Sequence, residues 1–273
     1  MLYQDLDHEF IDYETFLLPE TGWLLRGPAP RTLAPGEYFT CVGAAQTFGR
    51  YCERPYPTLL AHRMGLPVLN LGMAGAGPRF FVGQEAILGY VNAGRFAIVQ
   101  IMSGRSEDNS LFETGGRALV TRRSDGEQME AGLAYRELVA KESVERIQAL
   151  VAETRQNWLA SFTSLLEAIK VPTILFWFSE RAPDYEEVYS KRGEEPLFGR
   201  FPQLVNRAMV EQIRPAADEY VECISARGLP HHVIRKRYNR YYPSPEMHAD
   251  AADALIEACR KYASAPDASG ANS

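Results

Sequence analysis

The sequence predicts a three-layer α/β/α fold built on a five-stranded parallel sheet. Strand-like apolar segments alternate with amphipathic helical segments five times along the chain. Strict alternation is typical of a doubly wound parallel sheet with helices on both faces. Residues 96–102 are almost continuously apolar, as in a strand that is buried on both sides. Because 46% of the 273 residues are hydrophobic, the chain can bury a large core.

The elements are predicted in the following order. Residues 1–36 contain prolines and aromatic residues without a clear period, which indicates an arm packed on a single domain that spans 37–262. The predicted strands are 38–43, 66–72, 96–102, 171–178 and 229–234, and the predicted helices are 55–65, 80–92, 144–169, 205–224 and 247–262. The small, polar residues 263–273 are expected to be a disordered tail.

The helix boundaries and faces come from local patterns. Proline opens and glycine closes the segment 55–65. Apolar residues recur every three or four positions in 144–169, which gives one apolar stripe. The same spacing predicts the helix 205–224 from Val205, Met209, Ile213, Ala216, Tyr220 and Ile224, and the last helix from His248, Ala252, Leu255, Cys259 and Tyr262.

Two segments show no periodicity. Residues 103–133 carry scattered glycines and charges, and this length indicates either a functional lid or a disordered excursion. Residues 180–200 are predicted to form a surface loop.

Charge and cysteine usage exclude several classes of protein. The net charge of −6 argues against a nucleic-acid partner, whose binding surface is normally basic. The four cysteines form no CxxC pair, so we predict buried thiols in a reducing compartment and no metal site. The acidic start of the chain is unlike a signal peptide, and no apolar run is long enough for a membrane span. A cytoplasmic location is the expectation.

The loops that follow the predicted strands supply the candidate binding residues. In a parallel sheet these loops meet at one edge, where ligands bind. Each loop contains an arginine, which suits carboxylate, sulfate or phosphate groups and so predicts an anionic ligand. Ion pairs with neighbouring carboxylates are the alternative, and the sequence leaves both open. The candidates are Ala45, Gln46, Thr47, Arg50, Gly75, Arg79, Ser103, Arg105, Arg181 and Ser244.

His248 is the candidate general base. It opens the last predicted helix on the stripe that faces the sheet, beside the predicted binding edge. A histidine there can exchange a proton near neutral pH. Glu246 is the nearby carboxylate that could orient the ring.

The first strand and its turn resemble those of the SGNH (GDSL-like) hydrolases. The matching segments are a strand followed by Gly-x-x-x-Thr-x-Gly at 43–49, Pro-Tyr-Pro at 55–57 with Leu-Leu-Ala at 59–61, and Val-Leu-Asn-Leu-Gly at 68–72. The resemblance implies an SGNH- or flavodoxin-like α/β/α sheet. It also implies roles by position: Gly72 or Gly75 and Asn109 as oxyanion donors, and His248 as the base. In an enzyme built on this pattern, we expect Gln46 to polarise the acceptor together with Gly75 and Asn109. The chain is similar, too, to a bacterial protein family with the same turn.

The chain departs from the SGNH pattern at the nucleophile. Ala44-Ala45 stands where that family has Asp-Ser, and alanine has no nucleophilic atom. Pro245 stands where the family has the aspartate that precedes its histidine by three residues. A serine esterase mechanism is therefore not expected.

Three functions remain open. The first is an SGNH-like enzyme without cofactor, acting on an anionic or sugar-containing substrate by ester hydrolysis or by group transfer to a hydroxyl, with His248 as base. The second is a sulfotransferase that uses a nucleotide sulfate donor, because Gly43 to Arg50 and Arg105 with Ser106 or Ser110 loosely resemble that layout. The third is a non-catalytic binding protein on a degenerate hydrolase scaffold.

Overall fold

The computed structural model describes residues 3–9, 11–184, 199–234 and 237–264. The helices are α1 (Tyr3–Asp7), α2 (Ala45–Phe48), α3 (Tyr56–Met64), α4 (Pro78–Val82), α5 (Glu85–Ala93), α6 (Ala131–Lys141), α7 (Val144–Ala168), α8 (Arg207–Ile213) and α9 (Pro245–Ala263). The strands are β1 (Phe16–Leu17), β2 (Leu24–Leu25), β3 (Phe39–Gly43), β4 (Val68–Gly72), β5 (Ala97–Gln100), β6 (Phe112–Glu113), β7 (Leu119–Arg122), β8 (Gln128–Glu130), β9 (Thr173–Ser179), β10 (Glu219–Ile224), β11 (His231–Ile234) and β12 (Arg237–Asn239). Within the described ranges, no helix is long and apolar enough to span a bilayer.

A five-stranded parallel sheet lies at the centre, which confirms the predicted fold class. Its strand order is β10-β9-β5-β3-β4, and every neighbouring pair is parallel. Helices α3 and α9 pack on one face of the sheet, while α4, α5, α7 and α8 pack on the other. The two apolar clusters that result make the three layers.

Helix α7 packs against the sheet through its apolar stripe. Trp158 is fully buried in the core, and its indole Nε1–H donates to the carbonyl oxygen of Met102 at 3.0 Å, just beyond β5. Phe162 packs against the same indole, with ring centroids 4.8 Å apart. The longest helix is thus fixed by both apolar packing and a hydrogen bond at the strand-end edge.

The fifth strand of the sheet differs from the prediction. It is β10, inside the segment 205–224 that was predicted as one helix, because α8 ends at Ile213 and a 3₁₀ turn containing Pro215 follows. Proline lacks the N–H that a continuing helix needs. The predicted strand 229–234 instead lies in an antiparallel two-stranded hairpin formed by β11 and β12. An edge strand is only partly covered, so its sequence carries a weak apolar pattern.

The long segment after β5 forms regular secondary structure, so the prediction of a disordered excursion was wrong, while that of a functional lid stays a prediction. Strands β6, β7 and β8 form an antiparallel sheet, and α6 follows directly. They share an apolar cluster with the start of α7, in which Val120 is fully buried. Most of the predicted loop 180–200 and the tail beyond residue 264 lie outside the described residues.

The N-terminal residues contact the sheet domain through two arginines. Arg26 is buried, and its guanidinium donates to the carbonyl oxygens of Gly49, Cys52 and Glu53 at 2.7 to 3.0 Å. The Asp7 carboxylate pairs with Arg50 through two hydrogen bonds of 2.8 and 3.0 Å. These contacts hold the arm next to the turn that follows β3.

Candidate functional site

The turn after β3 passes directly into a short helix. Gly43 ends the strand, Ala44 has extended backbone angles, and α2 begins at Ala45. Both alanine methyl groups are buried. The turn therefore presents two buried methyl groups, at positions 44 and 45, where α2 begins.

Gln100, at the end of β5, organises this turn. Its Oε1 accepts hydrogen bonds from the Ala44 N–H at 3.0 Å and from the Thr47 hydroxyl at 2.7 Å. A side chain at position 43 would clash, since an added Cβ would lie 2.2 Å from the Thr47 oxygen. Thr47 is thus a structural residue of the turn, and its hydroxyl also lies 3.0 Å from that of Tyr56.

A cleft lies over the turn, at the carboxyl ends of the strands. Its inner cavity is lined by Tyr3, Ala44, Ala45, Gln46, Gly75, Ala76, Ser103, Arg105, Ser106, Phe201, Tyr241 and Tyr242. Its outer cavity of about 390 Å³ is lined by Gln46, Phe178, Ser179, Glu180, Gly199, Arg200, Phe201, Gln203, Leu229, Arg240, Tyr241, Pro243 and Met247. Gln46, Phe201 and Tyr241 border both cavities. The structure therefore brings together Ala45, Gln46, Gly75, Ser103 and Arg105 of the predicted site.

Three buried polar atoms in this cleft have no hydrogen-bond partner. They are the Oε1 atoms of Gln46 and Gln203 and the Nε of Arg105. The Gln203 amide is oriented by its Nε2, which donates to the Tyr241 hydroxyl at 3.1 Å. Buried polar atoms are nearly always paired in proteins, so these three atoms mark strained or incompletely satisfied positions in the wall of the cleft.

Replacing Gln46 with methionine tests whether its oxygen is held unpaired. A buried acceptor without a partner costs about 1–3 kcal/mol, so Gln46→Met is expected to raise the free energy of unfolding by about 1 kcal/mol. Denaturant unfolding measures this change. Gln212→Met, at an exposed position of α8, is the matched control. A loss of stability in Gln46→Met alone would instead assign the amide a structural role.

His248 lies inside the core and not at the cleft. Its side chain is 0% exposed, its Nδ1 accepts the Tyr56 N–H at 3.2 Å, and its ring packs between Tyr56 and Phe178. Burial lowers the pKa of His248 to about 3. The ring is therefore neutral over the physiological range, and it does not border either cavity of the cleft.

Ser244 and Glu246, the two predicted site residues near His248 in the sequence, do not line either cavity. Ser244 caps α9: its hydroxyl accepts the Met247 N–H at 3.1 Å and donates to the Arg227 carbonyl. Glu246 is exposed and lies against Gly228, where an added Cβ would be 2.2 Å from the carboxylate. Glu246 therefore does not orient the His248 ring.

Asn109 supports the loop after β5 instead of the cleft. Its Oδ1 accepts the N–H groups of Leu111 and Phe112 at 3.0 and 2.9 Å. Its Nδ2 donates to the hydroxyls of Tyr135 and Thr154 at 3.1 and 3.3 Å. Asn109 thus links the start of β6 to α6 and α7, and it is not among the residues that line the inner cavity.

Most of the predicted anion-binding arginines are engaged internally. Arg50 is paired with Asp7 and donates to the Tyr242 hydroxyl at 3.1 Å. Arg79 pairs with Asp108 at 3.1 Å, and Arg181 donates to the carbonyl oxygens of its own loop. Arg105 differs, because it makes no ion pair within the described part of the chain.

Sequence reasoning missed several residues of the cleft, among them Gln203 and Tyr241. Neither follows a strand of the parallel sheet: Gln203 precedes α8, and Tyr241 follows β12. No local pattern marks them, although the run Tyr-Asn-Arg-Tyr-Tyr at 238–242 is an aromatic cluster that could have drawn notice. The described residues contain no group of three histidines, cysteines or carboxylates that could hold a metal ion.

Comparisons with known proteins give the following similarities. A carbohydrate esterase family 2 enzyme with a carbohydrate binding domain from Corynascus thermopiles (Myceliophthora fergusii) is 11% identical, with 88% of this chain and 69% of that chain covered and a TM-score of 0.42. A gut microbial diltiazem-metabolizing enzyme is 12% identical, covering 82% of this chain and 47% of that chain, TM-score 0.47, so this chain spans about half its length. A protein described as a lipolytic member of the G-D-S-L family from Desulfitobacterium hafniense is 11% identical. The match covers 81% of this chain and 99% of that chain, with a TM-score of 0.39.

No curated protein sequence matches the chain. A family model does match, over residues 1–118 and 136–263, which is most of the chain. The chain belongs to the family described as Domain of unknown function (DUF6473).

Proposed function

We propose that this protein is a non-catalytic binding protein on an SGNH-like scaffold, with its ligand in the cleft over Ala45. The observation that carries the proposal is the state of the two catalytic positions. Ala45 stands where the SGNH resemblance implies the nucleophile. His248, where the resemblance implies the base, is buried in the core, and its Nδ1 accepts the Tyr56 N–H.

Ester hydrolysis needs a nucleophile or an activated water and a group that takes its proton. Among the described residues that line the inner cavity there is no histidine, cysteine or carboxylate. The Ser106 hydroxyl donates to the Gly75 carbonyl at 2.8 Å, and Ser103 accepts the Arg105 N–H at 3.0 Å. Both serine hydroxyls of the inner cavity thus contact backbone groups and have no base beside them, which supports a binding role over catalysis.

The two enzymatic alternatives have less support. Hydrolysis or transfer with His248 as base would require the ring to leave its place between Tyr56 and Phe178. A nucleotide sulfate donor would need free side chains at Thr47 and Arg50, and both are engaged in internal contacts.

Restoring the family's turn residues tests the proposal directly. The double variant Ala44→Asp, Ala45→Ser supplies a serine but no accessible base. We expect its hydrolysis of p-nitrophenyl acetate to equal that of the wild-type protein and of buffer, within twofold. The proposal would be refuted if either protein showed saturable turnover and if His248→Asn abolished that turnover. A hydrolase with His248 as base would then be the better hypothesis.

A further inference from the structure

We propose that the N-terminal helix α1 is a cover over the inner part of the cleft, and that it moves away before a ligand reaches Ala45. In the closed position Tyr3 fills the space in front of the turn, and the Asp7–Arg50 ion pair holds the helix in place. This inference rests on the proposed binding function and adds how access to that site is controlled.

The inner cavity is too small for a ligand while α1 is in place. Its volume is about 40 Å³, which is room for a few water molecules. Small-molecule sites measure roughly 300–1,000 Å³. Tyr3 lines this cavity, and Ala45 at its wall is only 5% exposed. The outer cavity of about 390 Å³ shares three lining residues with it, so withdrawal of Tyr3 would extend a cleft of ligand size toward the turn.

Tyr3 packs on the residues that directly follow Ala45. Its ring meets that of Phe48 edge to face, with centroids 5.1 Å apart. The guanidinium carbon of Arg50 lies 4.3 Å from the centroid of the Tyr3 ring and 5.1 Å from that of Tyr242. The position of the Tyr3 ring is therefore set by contacts with α2 and with the turn after it.

Asp7 is the anchor of the helix. It is 2% exposed, whereas the other residues of α1 are partly or fully exposed. Its carboxylate accepts two hydrogen bonds from Arg50, at 2.8 and 3.0 Å, and one from the Tyr13 hydroxyl at 2.9 Å. Charge-assisted pairs with two parallel hydrogen bonds are strong and directional. Because a helix of five residues has little stability of its own, its position depends on this pair.

The contacts of α1 are separate from the main cores. The apolar group beneath the helix consists of Ile11, Tyr13 and Phe48, with Tyr3 partly packed against it. Of the described residues 3–9, none belongs to the two apolar clusters on the faces of the sheet. Segments with few buried apolar contacts open locally at a lower free energy than the whole protein unfolds. Displacement of α1 therefore leaves the sheet domain folded.

Cysteine labelling measures access to position 45. Ala45→Cys places a thiol at the wall of the inner cavity, and the four native cysteines are buried. Reaction of the folded protein with iodoacetamide, followed by peptide mass spectrometry, gives a rate for each thiol. We expect the introduced thiol to react at least about tenfold faster when Asp7→Asn is added, because loss of the charged pair increases the population in which α1 is displaced.

Two further variants and one native thiol complete the comparison. Tyr3→Ala removes the blocking ring directly and should accelerate labelling at position 45 at least as much as Asp7→Asn. Glu9→Gln removes an exposed charge two residues after Asp7 and should change the rate by less than about twofold. Cys41 is fully buried in β3, so its labelling reports global unfolding, and it should stay unmodified in every variant.

Two results would overturn the inference. An unchanged rate at position 45 with Asp7→Asn would show that the ion pair does not hold a cover over the turn. Labelling of Cys41 as fast as that of the introduced thiol would show that α1 is released only when the whole domain unfolds. Neither result bears on the proposed absence of catalysis, which fails only through ester turnover.

Discussion

Replacing Glu107 with glutamine is expected to remove the contribution of this side chain to the pH dependence of stability between pH 4.5 and pH 8. Glu107 is fully buried and follows Ser106, which lines the inner cavity. Burial raises the pKa of Glu107 to about 8. The native protein therefore holds this proton up to about pH 8, while the unfolded chain releases it near the ordinary value. Stability linked to Glu107 is complete at low pH and falls as pH rises toward 8.

The expected size follows from the shift. Each pKa unit corresponds to 1.36 kcal/mol, so the difference in unfolding free energy between Glu107→Gln and wild type should increase by about 4 kcal/mol from pH 4.5 to pH 8. The Ser161 hydroxyl, 2.9 Å from Oε2, can also donate to a glutamine oxygen, which keeps the geometry comparable. Urea unfolding at a series of pH values measures the change.

Glu113→Gln is the matched control, because its carboxylate is exposed in the same loop region. It should leave the pH dependence of wild type unaltered. A difference between Glu107→Gln and wild type that stays constant with pH would mean that Glu107 is ionised in the folded protein, and the assignment of a neutral buried acid would be withdrawn.

Replacing His248 with asparagine should change how the free energy of unfolding depends on pH below about pH 6.5. Because the native pKa is about 3 and the unfolded ring titrates near 6.5, stability linked to His248 is complete above pH 6.5 and is lost as pH falls. From pH 7 to pH 4.5 the His248 contribution should fall by about 2–3 kcal/mol. Asparagine can accept the Tyr56 N–H but cannot take up the proton.

The two buried groups oppose each other between pH 4.5 and pH 6.5, so neither slope is visible in wild type alone. Each is obtained as the difference between a variant and wild type at the same pH. His62→Asn, at an exposed position of α3, is the control for His248 and should leave the acid-side dependence in place. If His248→Asn also retains the full dependence, His248 is protonated in the folded protein and open to the cleft.

The sheet was predictable because its signals are local. A strand buried on both faces reads as a continuous apolar run, and α7 reads as a long stripe, so neither needs its neighbours to be recognised. Strand β10 was not predicted because it is a partly solvated edge strand. Its apolar residues continue the helical spacing of α8 across Pro215, so the two elements were predicted as one helix. The three short strands within residues 103–133 were not predicted because each buries few side chains and so leaves no recognisable apolar pattern.

The candidate site divides in the same way. The sequence by itself determined that positions 44 and 45 of the turn after β3 carry no nucleophilic side chain, since alanine has no reactive atom in any conformation. Only the tertiary structure decided which arginines are paired, that His248 is sealed by Tyr56 and Phe178, and that Gln203 and Tyr241 reach the cleft. Burial and pairing depend on groups far apart in the chain, so no local pattern encodes them.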